Sequence, residues 1–170
     1  AYSNAGYMLL AMVIEKVSGL TYAEYLNQNI FIPLGMQNTY VSEGKARYLH
    51  DGTANYPLNK NGKPLKAFAY ADAIGATGVN STLYDMYLWD KNFYNNQLGA
   101  KKQALIDTLQ KTFSLNNGNS VYYGCGIIKK PYRGKSVYEH SGGWGEYLTQ
   151  YRRFPDEHIS IIAWNNAVNY

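Results

Sequence analysis

At 170 residues, with 46% hydrophobic and 16% charged side chains, the chain is long enough for one buried core and lacks the composition of a disordered segment. Its net charge of +4 is scattered over pairs such as Lys101-Lys102, Lys129-Lys130 and Arg152-Arg153, with no long run of one sign, which argues against a nucleic-acid partner. No apolar stretch is long enough to form a transmembrane segment, and the single cysteine, Cys125, excludes an intrachain disulfide.

In chain order, Met8, Leu9, Met12, Val13 and Val17 recur at near-helical spacing and predict a helix over 5–18, capped by Ser3 or Asn4 and ended by Gly19. Thr21-Tyr22-Ala23-Glu24 reads as a capping box that opens a second helix to about Asn29. Pro33-Leu34-Gly35-Met36 is expected to stop it. Residues 37–80 are rich in Asn, Gly, Lys and Pro and read as long loops, of the kind that often rim a cleft. Ser81 or Thr82 caps a third helix over 83–94, and apolar spacing predicts a fourth over 98–112.

After Asn116-Asn117-Gly118-Asn119 the period changes. Strands are predicted over 121–129, 136–139, 146–154 and 158–164, joined by short turn-rich links. Short links between consecutive strands imply an antiparallel meander. The fold class is therefore α+β, with a mainly helical region with long loops over 1–115 and a sheet region over 116–170. Cys125, inside Tyr123-Gly124-Cys125-Gly126, is expected to be a small buried hydrophobe. The eighteen tyrosines suit half-exposed faces and clefts, where a large ring is buried and a hydroxyl stays wet.

Two clusters can carry chemistry. Tyr2 and Asn4, two residues apart before a helix, can face one side of an extended turn. A phenol beside a cation can relay a proton, and an amide can hold a carbonyl. The bland alternative is a helix cap with a packed tyrosine. The second cluster is His140-Ser141-Gly142-Gly143, at the expected end of a strand. Its glycines allow close backbone approach, the Gly143 amide can donate to an oxyanion, and His140 can bind a carboxylate or steer a proton. The bland alternative here is a glycine-rich hairpin with a surface histidine. His50, His140 and His158 are too isolated to suggest a metal site, and no metal or organic cofactor is called for.

These clusters and their surroundings resemble the serine beta-lactamase and penicillin-binding-protein-like family, in its class C and esterase branch. The resemblance starts at Tyr2-Ser3-Asn4-Ala5-Gly6-Tyr7 and runs through Gly19-Leu20-Thr21-Tyr22 and Pro33-Leu34-Gly35-Met36-Gln37-Asn38-Thr39. It then takes in Gly75 to Gly78, Ser81-Thr82, Asp85, Tyr123-Gly124-Cys125-Gly126 and His140-Ser141-Gly142-Gly143. It leaves out only a loop near 42–70. The resemblance implies that Tyr2 is a general acid/base, that Asn4, His140 and Gly142 contact substrate, and that the Gly143 amide helps build an oxyanion hole. It also implies a beta-lactamase/transpeptidase-like fold, acyl transfer through an acyl-serine on an ester or amide, and a bacterial envelope location.

Two departures stand out. The third motif begins with His140 where true beta-lactamases have lysine, which is similar to the esterase, D-aminopeptidase and carboxypeptidase relatives. The family's Ser-x-x-Lys lies upstream of the tyrosine motif, where this sequence has only Ala1. Ser42-Glu43-Gly44-Lys45 matches by letter but falls in a loop after that motif, and Ser141 has no evident base. The expectation is a C-terminal fragment, inactive alone, of a serine hydrolase acting on a small molecule or peptide, possibly a D-amino-acid peptide. The alternative is a non-catalytic cell-wall-peptide binder on the same fold. The natural N-terminus is expected elsewhere, as the chain does not begin with methionine. An exposed sheet edge is expected to pair with the missing N-terminal part or with another copy.

Overall fold

A computed structural model describes residues 2–42, 53–54, 56–66 and 73–166. Glu43, Gly44, Lys45 and His50 lie outside the described residues. Helix α1 (Asn4–Ser18) begins at Ser3, whose hydroxyl accepts the Gly6 N–H at 3.3 Å. It ends at Gly19, left-handed at φ 73°, whose N–H donates to the Glu15 carbonyl. The capping box predicted at Thr21 is present and opens α2 (Tyr22–Leu26). Its two backbone-to-side-chain bonds, Thr21 N–H to Glu24 Oε2 at 2.9 Å and Glu24 N–H to Thr21 Oγ1 at 3.2 Å, satisfy both exposed donors. The Thr21 N–H, and then its hydroxyl, hold the Glu24 carboxyl below the usual carboxylate range.

The helical path does not stop before Pro33. It widens into a π turn over Asn27–Phe31 and continues as α3 (Ile32–Leu34) to Gly35 at φ 73°. Proline falls in the first turn of α3, where no N–H is demanded of it. Leu26, Phe31, Met36 and Val41 form a buried cluster on this path. Each such side chain contributes about 1.5–3 kcal/mol by leaving water. Within 37–80, β1 (Tyr40–Val41) pairs antiparallel with β2 (Val79–Asn80). Gly75, at φ 97°, lies so close to α1 that a Cβ would stand 2.6 Å from the Tyr7 carbonyl oxygen. Only glycine fits there.

Helix α4 (Leu83–Asn92) is capped by Thr82, whose hydroxyl accepts the Asp85 N–H at 3.2 Å. Leu88 and Trp89 seal the apolar cluster. Helix α5 (Gln103–Leu109) is shorter than the sequence suggested. Gly99 at φ 64° bends the chain, and the Asn96 amide donates to the carbonyls of Leu98 at 2.8 Å and Lys102 at 2.5 Å. This side chain holds a loop where the helix was expected to begin.

The C-terminal part is the antiparallel meander predicted, though its strand bounds differ. A hairpin of β3 (Phe113–Ser114) and β4 (Ser120–Val121) precedes it. The sheet then runs β5 (Tyr123–Gly124), β6 (Ile127–Tyr132), β7 (Lys135–Trp144), β8 (Tyr147–Phe154) and β9 (Ile159–Asn165), with neighbours in sequence also neighbours in space. The single strand expected over 121–129 is broken by a tight turn, because Cys125 and Gly126 adopt φ 50° and 79°. Cys125 is exposed at that turn rather than buried. Strand β7 extends five residues beyond its expected end at Glu139 and carries the whole glycine motif, since β8 pairs with it up to Trp144. At Gly142 a Cβ would stand 2.6 Å from Thr149 Oγ1, so the threonine fills the space a side chain would take.

Helices α4 and α5 reach one face of the sheet. Asp90 of α4 accepts the hydroxyls of Tyr151 at 2.5 Å and Ser160 at 2.7 Å. Burial, followed by this bond to Asp90, pushes the Tyr151 phenol up from its usual value. Arg153 is only 2% exposed. Its guanidinium lies 4.1 Å from the Phe93 ring centroid, and Nη2 donates to Gln110 Oε1 at 2.7 Å.

Candidate active site

Strand alternation places Tyr138, His140 and Gly142 on one face of β7 and Glu139, Ser141 and Gly143 on the other. The β6 ladder along β7 ends at the Ile128–Glu139 pair, whereas the β8 ladder continues past it. Residues 140–143 therefore pair on one side only among the described residues, and their other edge is open. An open groove of about 650 Å³ passes over Ser141, Gly142, Gly143, Leu148 and Thr149.

The N-terminus of α1 is brought to this strand. Tyr2 and His140, 138 positions apart in sequence, have ring centroids 6.0 Å apart. Tyr2 also contacts Tyr7 at 5.6 Å and Tyr123 at 5.9 Å, edge-on in the second case. Asn4 is exposed in the first turn of α1, two residues from Tyr2.

Two further residues belong to the cluster that sequence reasoning gave no role. The Tyr7 and Tyr123 hydroxyls are 2.9 Å apart, and the Tyr123 hydroxyl is 3.2 Å from His140 Nε2. His140 Nδ1 is 2.7 Å from the Ser141 carbonyl oxygen. Burial, then the hydrogen bond with Tyr7, pushes the Tyr123 phenol well above its usual range, so it stays a neutral hydroxyl. The available signal was slight. Tyr7 follows the Ser3 cap by one helical turn, and Tyr123 precedes a glycine-flanked turn, but neither position reveals that the two hydroxyls meet.

Ser42 does not sit in this cluster's hydrogen-bond network. Its hydroxyl donates to the Gly78 carbonyl at 3.3 Å and accepts from the Asn80 amide at 2.8 Å, which ties it to the end of β2. Among the described residues no group of His, Cys, Asp and Glu could hold a metal ion. No helix among them is long and apolar enough to cross a membrane.

A helical layer around an antiparallel meander, with a tyrosine from a helix start facing a His-x-Gly strand, defines part of the serine beta-lactamase and penicillin-binding-protein-like fold. The chain belongs to the Beta-lactamase family, whose profile matches residues 1–169. Penicillin-binding protein 4* of Bacillus subtilis (strain 168) is 33% identical over 97% of this chain and 39% of that protein. A D-aminopeptidase of Brucella anthropi is 26% identical over 98% of this chain and 31% of that protein. Among solved structures, the octameric penicillin-binding protein homologue from Pyrococcus abyssi superposes with a TM-score of 0.85 at 26% identity, over 99% of this chain and 39% of that one. The chain thus spans less than two fifths of the length of these relatives.

Proposed function

We propose that residues 1–170 form two walls of an acyl-transfer site in a serine hydrolase that cleaves an ester or amide. The observation that carries this reading is the meeting of Tyr2 and His140 beside the open edge of β7. Tyr2 relays protons to and from the reacting groups. Asn4, His140 and Gly142 hold the substrate, and the Gly143 amide stabilises the developing oxyanion. An extended substrate lies along residues 140–143, where an unpaired strand edge offers backbone groups to it. The kinship with D-aminopeptidases supports a D-amino-acid peptide or its amide as substrate.

The nucleophilic serine comes from a part of the whole protein outside these residues, and the chain by itself is inactive. The share of the relatives that the chain spans supports this, as does the engagement of Ser42 by Gly78 and Asn80. The helical and sheet regions are then parts of one larger domain. Leu9, Met12 and Val17 on α1 are 61%, 61% and 83% exposed, which supports coverage of this face by further polypeptide, from the same protein or a second copy.

The test is intact mass after treatment with a fluorophosphonate that acylates activated serines. The chain of residues 1–170 is expected to stay unmodified, while the whole protein takes one adduct on a serine outside them. A stoichiometric adduct on Ser42 or Ser141 would overturn the assignment. A whole protein that binds peptide but takes no adduct would favour a binding protein on the same fold.

A further inference from the structure

The hydrogen bonds around His140 have only one consistent set of directions at neutral charge. A carbonyl oxygen accepts and never donates, so the 2.7 Å contact with the Ser141 carbonyl requires the proton on Nδ1. A neutral imidazole carries one N–H, so Nε2 is left with a lone pair. The Tyr123 hydroxyl, 3.2 Å away, must then donate to Nε2. Its oxygen is free to accept, and the Tyr7 hydroxyl at 2.9 Å donates to it. The chain of protons runs from Tyr7 through Tyr123 to His140 and ends on backbone.

We propose that Tyr123, backed by Tyr7, is a positioning residue that holds His140 as the neutral Nδ1–H tautomer, so that the third motif offers a ligand no imidazole N–H. This rests on the reading of the cluster as a substrate site, but the tautomer itself does not require it. Both ring nitrogens are spent inside the protein. The groups left to face a ligand there are the Tyr2 hydroxyl, the Asn4 amide, the face of the His140 ring and the backbone of residues 140–143. Such a wall recognises a neutral ester or amide better than a free carboxylate, which would ask His140 for a proton it has already committed.

The elements differ in their demands. Tyr7 stands on α1 and Tyr123 on β5, so the relay also pins the helix start, and with it Tyr2, against β7. Gly126, left-handed at φ 79°, makes the turn that follows β5 beside the Tyr7 hydroxyl.

The test is long-range 1H–15N correlation of the histidine rings in the full chain at neutral pH, which distinguishes protonated from bare ring nitrogens. His140→Gln identifies the resonances. In the wild type, His140 is expected almost wholly as the Nδ1–H form, and a dominant Nε2–H form would overturn the proposal. Tyr123→Phe leaves the Ser141 carbonyl as the one partner holding the tautomer and is expected to raise a minor Nε2–H population, while Tyr7→Phe keeps the wild-type form because Tyr123 still donates. Unchanged His158 peaks show that each variant is folded. A Tyr123→Phe spectrum identical to wild type would overturn the role of Tyr123. The measurement needs no substrate, so its outcome stands whether or not the fluorophosphonate finds a serine.

Discussion

The Thr39 hydroxyl lies 2.7 Å from Asp85 Oδ2, joining the turn after α3 to the first turn of α4 across 46 positions of sequence. The same oxygen accepts the Asn38 N–H at 2.8 Å, and Asp85 is only 1% exposed. One carboxylate in the first turn of a helix therefore fastens a distant loop to it. Removing it leaves the Asn38 N–H without its partner, while the Thr39 hydroxyl keeps Ser81 Oγ at 2.7 Å. Asp85→Ala is expected to cost about 1–3 kcal/mol, with Asp85→Asn costing less because an acceptor remains. Urea unfolding of the two variants checks this, and a loss under about 0.5 kcal/mol for the alanine would contradict it.

Gly142 offers a test of packing inside the strand that carries the third motif. Its absent side chain leaves the place taken by Thr149 Oγ1, 2.6 Å from an ideal Cβ. Gly142→Ala is expected to destabilise by about 1–3 kcal/mol through overpacking. The same change in a Thr149→Ala background should cost clearly less, since the obstructing hydroxyl is gone. A double-mutant cycle on thermal unfolding reads the difference, and strict additivity would show that the two sites do not compete.

Alkaline stability follows from two phenols. Burial raises Tyr151 and Tyr123 above the ordinary tyrosine range, and their bonds to Asp90 and Tyr7 add to the effect. A raised folded value means that the unfolded chain loses these protons first. Their contribution is complete below about pH 10, where unfolded tyrosine titrates, and is lost as pH rises towards the folded values. Tyrosinate absorbance and circular dichroism, followed together, should show a fraction of the tyrosines ionising only as the fold is lost. Tyr151→Phe should flatten the fall of stability above pH 10. An unchanged slope would assign the loss to other groups.

The sequence made the architecture legible wherever one local signal sufficed. Thr21 and Glu24 announced α2, Thr82 announced α4, and short turn-rich links announced a meander. It misled where distant residues decide. Asn96 folds back on Lys102 and shortens α5, and β8 carries β7 through two glycines that look like a turn. A lone cysteine behaves as a small hydrophobe, which points Cys125 to the interior, although its flanking glycines favour the exposed turn it occupies. In the candidate site, Tyr2 and His140 could be named from their motifs. Tyr7 and Tyr123 could not, because their meeting depends on docking a helix against a hairpin 116 residues later.

The unpaired stretch of β7 has a consequence for how this protein behaves in a tube. An open strand edge reads extension and hydrogen-bond spacing, not side-chain identity. If the proposed reading holds, a peptide ligand and the edge of a neighbouring copy would call on the same backbone groups of residues 140–143, which pair on one side only among the described residues. Peptide binding is then expected to weaken as the protein's own concentration rises.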